Sequence, residues 1–441
     1  MPVKVVHLAT QDVGGGGGGF DAAHRLHANM RNAGVDSAML VHTKRSTDDH
    51  VTGVSDRLTI PERLRSKLGE RRVLRDRKRG GYSNYFKADI GFFLPAQRLM
   101  RLLPFKPDAI IAHWVSGFVT ADMLRQLCEL TGAPLYWYLM DMAPLTGGCH
   151  YAFDCKGYFR ACGHCPQIGS DAGEFDVSRR QLQNKMKSFE QISVTAVASS
   201  TWVRRQAEQS AVFSARPIRH IMLGMDANVF KPAPVATSRA VLGLPVDRTV
   251  LFFGAQQLSE KRKGFGCLVE ALNRLWAMLD GAPAIREKVM VVTAGSTPTG
   301  GSLRMPFEHR HIGMLLGNER LTAAYTAADI FINASTEDTG PMMINEAILC
   351  GTPVVAFDMG VAPDLVHTHL TGYRARLRDT GDMAEGLRML LAMDETQMQA
   401  MRSECRDLGL RLCHPQVQVR SFTELIASGS EAGESRSEGP S

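Results

Sequence analysis

Ile330-Phe-Ile-Asn-Ala-Ser-Thr-Glu337-Asp338-Thr-Gly340-Pro341-Met342-Met-Ile-Asn-Glu346-Ala-Ile-Leu-Cys350-Gly-Thr-Pro353-Val-Val-Ala-Phe357 decides the fold. It opens on the apolar run Ile330–Ile332, passes through a polar loop and a helical stretch, and closes on the apolar run Pro353–Phe357. Both runs are apolar throughout and do not alternate, as strands covered on both faces of a parallel sheet should be. Strand, helix, strand in this order is the repeating unit of a doubly wound α/β domain.

The same alternation extends upstream. Arg219–Met222, Val250–Phe253 and Val289–Thr293 complete one series of strands; Val3–Leu8, Ala38–Val41, Ala109–Ala112, Leu135–Leu139 and Val194–Ala198 form an earlier one. Helical patterns such as Phe20–Ala33 and Thr120–Leu130 lie between them. Two series predict two doubly wound domains, as expected for 441 residues at roughly 100–200 per domain. The boundary is expected between Ser210 and Pro217, giving domains 1–213 and 214–426. Pro-rich Lys231–Val246 reads as a surface loop, and residues 427–441, nearly devoid of apolar side chains, as a disordered tail.

Composition excludes several classes. With 44% hydrophobic and 22% charged residues the chain is neither collagen, coiled coil nor disordered polymer. No apolar run approaches the ~18 residues of a membrane helix. Met1–Thr10 lacks the charged and apolar regions of a signal peptide, so a cytoplasmic location is expected. Residues 56–79 hold ten Lys/Arg and four Asp/Glu, an excess equal to the whole chain's net +6. The charge is therefore one basic segment. Leu64 and Leu68 share a helical face within it, which suits an anionic membrane surface; a solvated arm is the alternative. No aromatic stacking platform accompanies it, and no nucleic-acid partner is expected.

Three loops carry candidate chemistry. Gly14–Gly19, including Gly16 and Gly17, follows the first strand and precedes a helix, so its amides could face an anionic ligand. Asp36 precedes the second strand instead of ending it, so the dinucleotide fingerprint is incomplete. Glu260-Lys-Arg262-Lys263-Gly264 follows Val250–Phe253; its cations suit a diphosphate at a strand's C-terminal end, or form a solvated turn. In the third loop Asp338 and Glu346 are placed to face one cleft, with a helix N-terminus near Pro341 beside them. Carboxylates there could accept hydrogen bonds from sugar and ribose hydroxyls.

Together these segments resemble the retaining family-4 glycosyltransferases of GT-B fold, in which two Rossmann-like domains face each other across a cleft. The resemblance includes Tyr325-Thr-Ala-Ala-Asp329 and Glu346-Ala-Ile-Leu-Cys-Gly-Thr-Pro-Val-Val-Ala356. It implies a nucleotide-diphosphate sugar donor held by Gly16, Gly17, Arg262, Lys263, Gly340, Pro341, Met342 and Glu346, with Glu346 on the ribose. It places Asp338, Glu337 and His113 at the donor sugar, and needs no catalytic metal. The first acid of the family's E-x7-E pair is Asp338 here, and the Arg usual after the second-domain glycine is Ala255. The final helix is expected to return to the first domain.

A narrower resemblance rests on Asp141-Met-Ala-Pro-Leu-Thr-Gly-Gly-Cys149-His-Tyr, Cys155 and Cys162-Gly-His-Cys165-Pro. It points to the subgroup of colanic-acid, O-antigen and exopolysaccharide assembly, hence to a lipid-linked saccharide acceptor at the membrane's inner face. Within this insert, 147–166, the spacing Cys149-x5-Cys155-x6-Cys162-x2-Cys165 suits a structural zinc, with His150 and His164 as alternative ligands and reduced thiols as the alternative reading. Two rival functions are a nicotinamide-dependent oxidoreductase and a non-catalytic sugar-nucleotide or membrane-surface binding protein.

Overall fold

The computed structural model describes residues 2–14, 18–64, 67–68, 94–169, 173–297, 304–340 and 342–437, with backbone only for 430–437. Gly16, Gly17, Pro341, residues 65–66 and 69–93, and 438–441 lie outside them. The chain divides into two units: residues 1–199, 203–222 and 418–441 in the first, and 200–202 and 223–417 in the second.

The first unit is built on β1 (Lys4–Gln11), α1 (Gly18–Asn32), β2 (Asp36–Thr43), β3 (Val51–Gly53), β4 (Ala109–Ala112), α2 (Ala121–Thr131), β5 (Leu135–Leu139), α3 (Val177–Phe189), β6 (Val194–Ala198) and β7 (Ile218–His220). Its seven strands run parallel in the order β3-β2-β1-β4-β5-β6-β7. The second unit contains β8 (Thr249–Gln257), α4 (Phe265–Met278), β9 (Val289–Ser296), β10 (Glu308–His311), α5 (Asn318–Ala327), β11 (Ile330–Asn333), α6 (Met342–Leu349), β12 (Val354–Phe357) and β13 (Gly372–Ala375). Its six strands are also parallel, ordered β10-β9-β8-β11-β12-β13. Both units are Rossmann-like. In each, strand order reverses at one point, between β1 and β4 and between β8 and β11, and the crevice beyond the strand ends there is where such sheets bind ligands.

The central strands are the apolar runs. All five residues of β5 are buried, and the polar atoms of its aromatics are satisfied. Trp137 Nε1 donates to His113 O at 3.2 Å and Tyr138 Oη donates to Ile221 O at 3.0 Å. Tyr138 Oη in turn accepts from Gln418 Nε2 at 3.0 Å, tying α7 (Pro415–Ser437) to the first unit.

Three sequence expectations differ from the structure. Arg219–Met222 was expected to open the second series, yet Ile218–His220 is β7, pairing with β6 at the edge of the first sheet. Its polar Arg219 and His220 are tolerated because an edge strand is covered on fewer sides. The division consequently falls after Met222, nine residues beyond 213. Lys231–Val246 contains a helix over Val235–Leu242, closed by left-handed Gly243. Residues 427–437, expected as the start of a disordered tail, continue the backbone of α7.

Candidate functional site

In the second unit the loop after β8 meets the loop after β11. Gly264 makes this possible: its φ is +73°, and a Cβ there would lie 1.8 Å from Ala334 O. The backbone contact continues as Thr336 N donates to Arg262 O at 2.8 Å. Asp338 is thereby delivered onto the cations. Its Oδ2 accepts from Lys263 Nζ at 2.6 Å and Arg262 Nη1 at 2.8 Å, and its Oδ1 from Gly340 N at 3.3 Å. Arg262 Nε also donates to Glu260 at 2.5 Å. Burial alone would push the Asp338 carboxyl up, but Lys263 and then Arg262 outweigh it and hold it at about 2.

Glu346 lies on α6, buried, and has a different neighbour. Tyr325 Oη on α5 donates to Glu346 Oε2 at 2.6 Å. Phe252 and Phe331 pack edge-on against the Tyr325 ring at 5.7 and 5.4 Å. Burial, and then the Glu346 charge, push the Tyr325 hydroxyl well above its ordinary value. Glu337 is buried beside Asp338, Ala255 is buried in β8, and Met342 opens α6. The structure thus assembles Asp338, Lys263, Arg262 and Gly340 directly, and sets Glu346 on Tyr325.

In the first unit His113 directly follows β4 and is buried. Its Nε2 lies 2.9 Å from His7 Nδ1, and the rings stack at 5.2 Å. His27 packs against His7 at 5.6 Å and bonds Ser37 Oγ at 2.7 Å. Burial, then the other histidines, draws His7 well down; burial brings His27 to about 4 and His113 to about 3. This cluster is uncharged at neutral pH. His7 was missed by sequence reading, although a polar residue inside an otherwise apolar strand is the signal that marks it. Of the glycine loop, Gly14 N donates to Asp21 Oδ1 at 2.9 Å.

Among the four insert cysteines, Cys149 and Cys165 share a buried cluster with Ile168. Their thiol–thiol hydrogen bond, with burial, pushes Cys149 well up; the same bond draws Cys165 down to about 7. Cys155 Sγ receives Gly157 N at 3.5 Å. Among the described residues no three His, Cys, Asp or Glu side chains are arranged to hold a metal ion. His150 is turned away, onto Asp141. Of the basic segment, Leu64 and Leu68 are exposed and Arg98 pairs with Glu62 at 3.4 Å. No helix among the described residues is long and apolar enough to cross a membrane.

Residues 247–393, which include Lys263, Asp338 and Glu346, match the family model described as glycosyl transferases group 1. A D-inositol 3-phosphate glycosyltransferase of Saccharomonospora viridis is 30% identical over 190 residues, covering 40% of this chain and 43% of that protein. The chain thus spans under half the length of that relative. Its counterpart in Mycolicibacterium smegmatis is 28% identical over 69% of this chain and 74% of its own length. Among solved structures, sucrose-phosphate synthase from Thermosynechococcus elongatus superposes with a TM-score of 0.65 at 16% identity, over 97% of this chain and all of that one. Anabaena HepE in complex with UDP and glucose gives 0.63 at 15% identity, with the same coverages. These likenesses concern the fold.

Proposed function

We propose that this chain is a retaining glycosyltransferase that moves a sugar from a nucleotide-diphosphate donor to a saccharide acceptor. The observation that carries the reading is the Lys263–Asp338–Arg262 cluster at the strand-order reversal of the second unit, inside the segment that matches group 1 glycosyl transferases. Cleaving the sugar–phosphate bond leaves a diphosphate with growing negative charge. Lys263 and Arg262, fixed before the donor arrives, offset that charge without reorganising. The N-termini of α4 and α6 add partial positive charge. Glu346, oriented through Oε2 by Tyr325, takes the ribose hydroxyls. Asp338 and Glu337 hold sugar hydroxyls, and same-face attack accounts for retention.

For the acceptor, the cysteine-bearing insert favours a lipid-linked saccharide in cell-surface polysaccharide assembly. The basic segment would hold the enzyme on anionic lipid at the inner membrane face. A second acceptor, D-inositol 3-phosphate, is favoured by the activity for which the Saccharomonospora viridis and Mycolicibacterium smegmatis relatives are named. The test is a thermal-shift panel of UDP-glucose, UDP-galactose, UDP-N-acetylglucosamine and GDP-mannose. It is followed by radiolabelled transfer to D-inositol 3-phosphate and to octyl β-glucoside, a short glycolipid. One donor should raise the melting temperature and be consumed. No stabilisation and no donor turnover would sink the reading.

A further inference from the structure

We propose that Asp141 and His150 form a hydroxyl-binding dyad at the ligand end of the first sheet, where His150 Nε2 accepts a hydrogen bond from a hydroxyl of the acceptor. This rests on the glycosyltransferase reading and extends it to the acceptor's side. Three adjacent strands, β1, β4 and β5, bring the parts together. Trp114 follows β4 by two residues, Asp141 follows β5 by two, and α1 starts after β1. At Gly19, in the first turn of α1, a Cβ would be 3.9 Å from Met140 and 4.0 Å from Trp114, so the helix start abuts the same spot. Phe20 packs against Trp114 at 5.8 Å.

His150 is held from several sides. Its Nδ1 bonds Asp141 Oδ2, whose other oxygen accepts Ala143 N at 2.9 Å. Its carbonyl accepts Met142 N at 3.0 Å, and its ring stacks on Trp114 at 4.2 Å. The intervening loop is locked. The buried Lys185 ammonium donates to Ala143 O at 2.5 Å and Thr146 O at 2.7 Å. Thr146 Oγ1 donates to Cys149 O at 2.9 Å, and Ser210 Oγ to Leu145 O at 2.7 Å. At Gly147 a Cβ would stand 2.1 Å from Ser178 O, so the loop can lie this close only with glycine there.

Within this bonded frame His150 Nε2 is buried with no hydrogen-bond partner among the described residues. Such an orphan costs stability and asks for an explanation. A carboxylate can only accept, so Asp141 fixes the proton on Nδ1 and leaves the lone pair on Nε2. That nitrogen is then an acceptor for an O–H. Trp114, partly exposed and lying on the ring, borders this nitrogen and offers an aromatic face for the C–H side of a sugar.

The test uses the full chain, the sugar nucleotide selected by the panel, and D-inositol 3-phosphate and octyl β-glucoside as acceptor probes. H150F keeps the stacked ring but removes the lone pair. In D141N the amide oxygen keeps the Ala143 N–H, so the NH2 faces Nδ1 and inverts the tautomer. Both should shift the partition of the donor sugar from probe to water by roughly ten- to a hundredfold, while calorimetry shows nucleotide affinity unchanged. H150Q, whose amide oxygen can accept, should recover part of the transfer. If H150F is too unstable to assay, D141N against H150Q carries the comparison. Wild-type partition in either H150F or D141N overturns the dyad. Donor hydrolysis and nucleotide binding without transfer to either probe by the wild type also overturns it. Absence of nucleotide binding in the wild type would instead sink the glycosyltransferase reading.

Discussion

The Lys263 ammonium lies 2.6 Å from the Asp338 carboxylate, although 75 positions separate them in the chain. On the proposed reading, the donor diphosphate meets Lys263 and Arg262 already held in place by Asp338 and shares them with it. This relationship makes the two acids of the Asp338-x7-Glu346 pair fail differently.

Asp338→Asn should release Lys263 and Arg262, so free nucleotide should bind as well as to wild type or severalfold tighter. Turnover should fall, because contacts to the sugar that strengthen as the bond breaks are lost. Loss of the buried ion pair with Lys263 should also reduce stability by about 1–3 kcal/mol. Calorimetry with the free nucleotide, set beside kcat, decides this. A large loss of nucleotide affinity would contradict the assignment of Asp338 to the sugar.

Glu346→Gln should weaken free nucleotide by roughly ten- to a hundredfold, since a hydrogen bond to a charged acceptor contributes ~1.5–3 kcal/mol. Tyr325→Phe leaves Glu346 in place but removes the hydroxyl that orients it. It should lower stability by ~1–3 kcal/mol in urea titration and weaken nucleotide binding by less than Glu346→Gln does. Tyr325→Phe with wild-type stability would mean that the 2.6 Å bond contributes nothing.

The His7–His27–His113 cluster should make the protein acid-sensitive well above the carboxylate range. Unfolded histidines titrate near 6.5, whereas His27 and His113 in the folded protein are held at about 4 and about 3. Between those values the unfolded chain binds more protons. Stability is therefore complete above about pH 7 and falls as pH drops through 6.5, by ~1.4 kcal/mol per pH unit per histidine. Urea midpoints at pH 7.5, 6.0 and 5.0 should decline in step, and His27→Gln should flatten the slope. A profile level down to pH 5 would show that these histidines are protonated without penalty.

The insert cysteines are expected to copurify with about one zinc per chain, released by Cys162→Ser or Cys165→Ser with loss of stability. Binding would require the thiols to draw closer than they stand, from the contact that Cys149 and Cys165 already make. Elemental analysis combined with thermal melting checks it. Zinc-free protein with unchanged melting would leave them as packed, reduced thiols.

Much of this protein could be read directly from its residues. A strand buried on both faces must be apolar throughout, so β1, β4, β5, β8, β9, β11 and β12 announced themselves, and with them two Rossmann-like units. Ligand loops of such sheets follow the strands, so Lys263, Asp338 and Glu346 could be singled out before any coordinates. Edge strands β3, β10 and β13 escaped, because being short or partly polar they lack the continuous apolar run, whereas β7 reads as a strand of the second series yet lies at the edge of the first sheet. Partners escaped for another reason. His7 meets His113 across 106 positions and Arg262 meets Asp338 across 76. Such meetings follow from which strands lie side by side, β1 with β4 and β8 with β11, and strand order is set by packing the whole sheet. Local residue chemistry determined which groups could act; the tertiary structure decided that Asp338 is clamped by two cations, that Glu346 is held by Tyr325, and that one nitrogen of His150 is left without a partner.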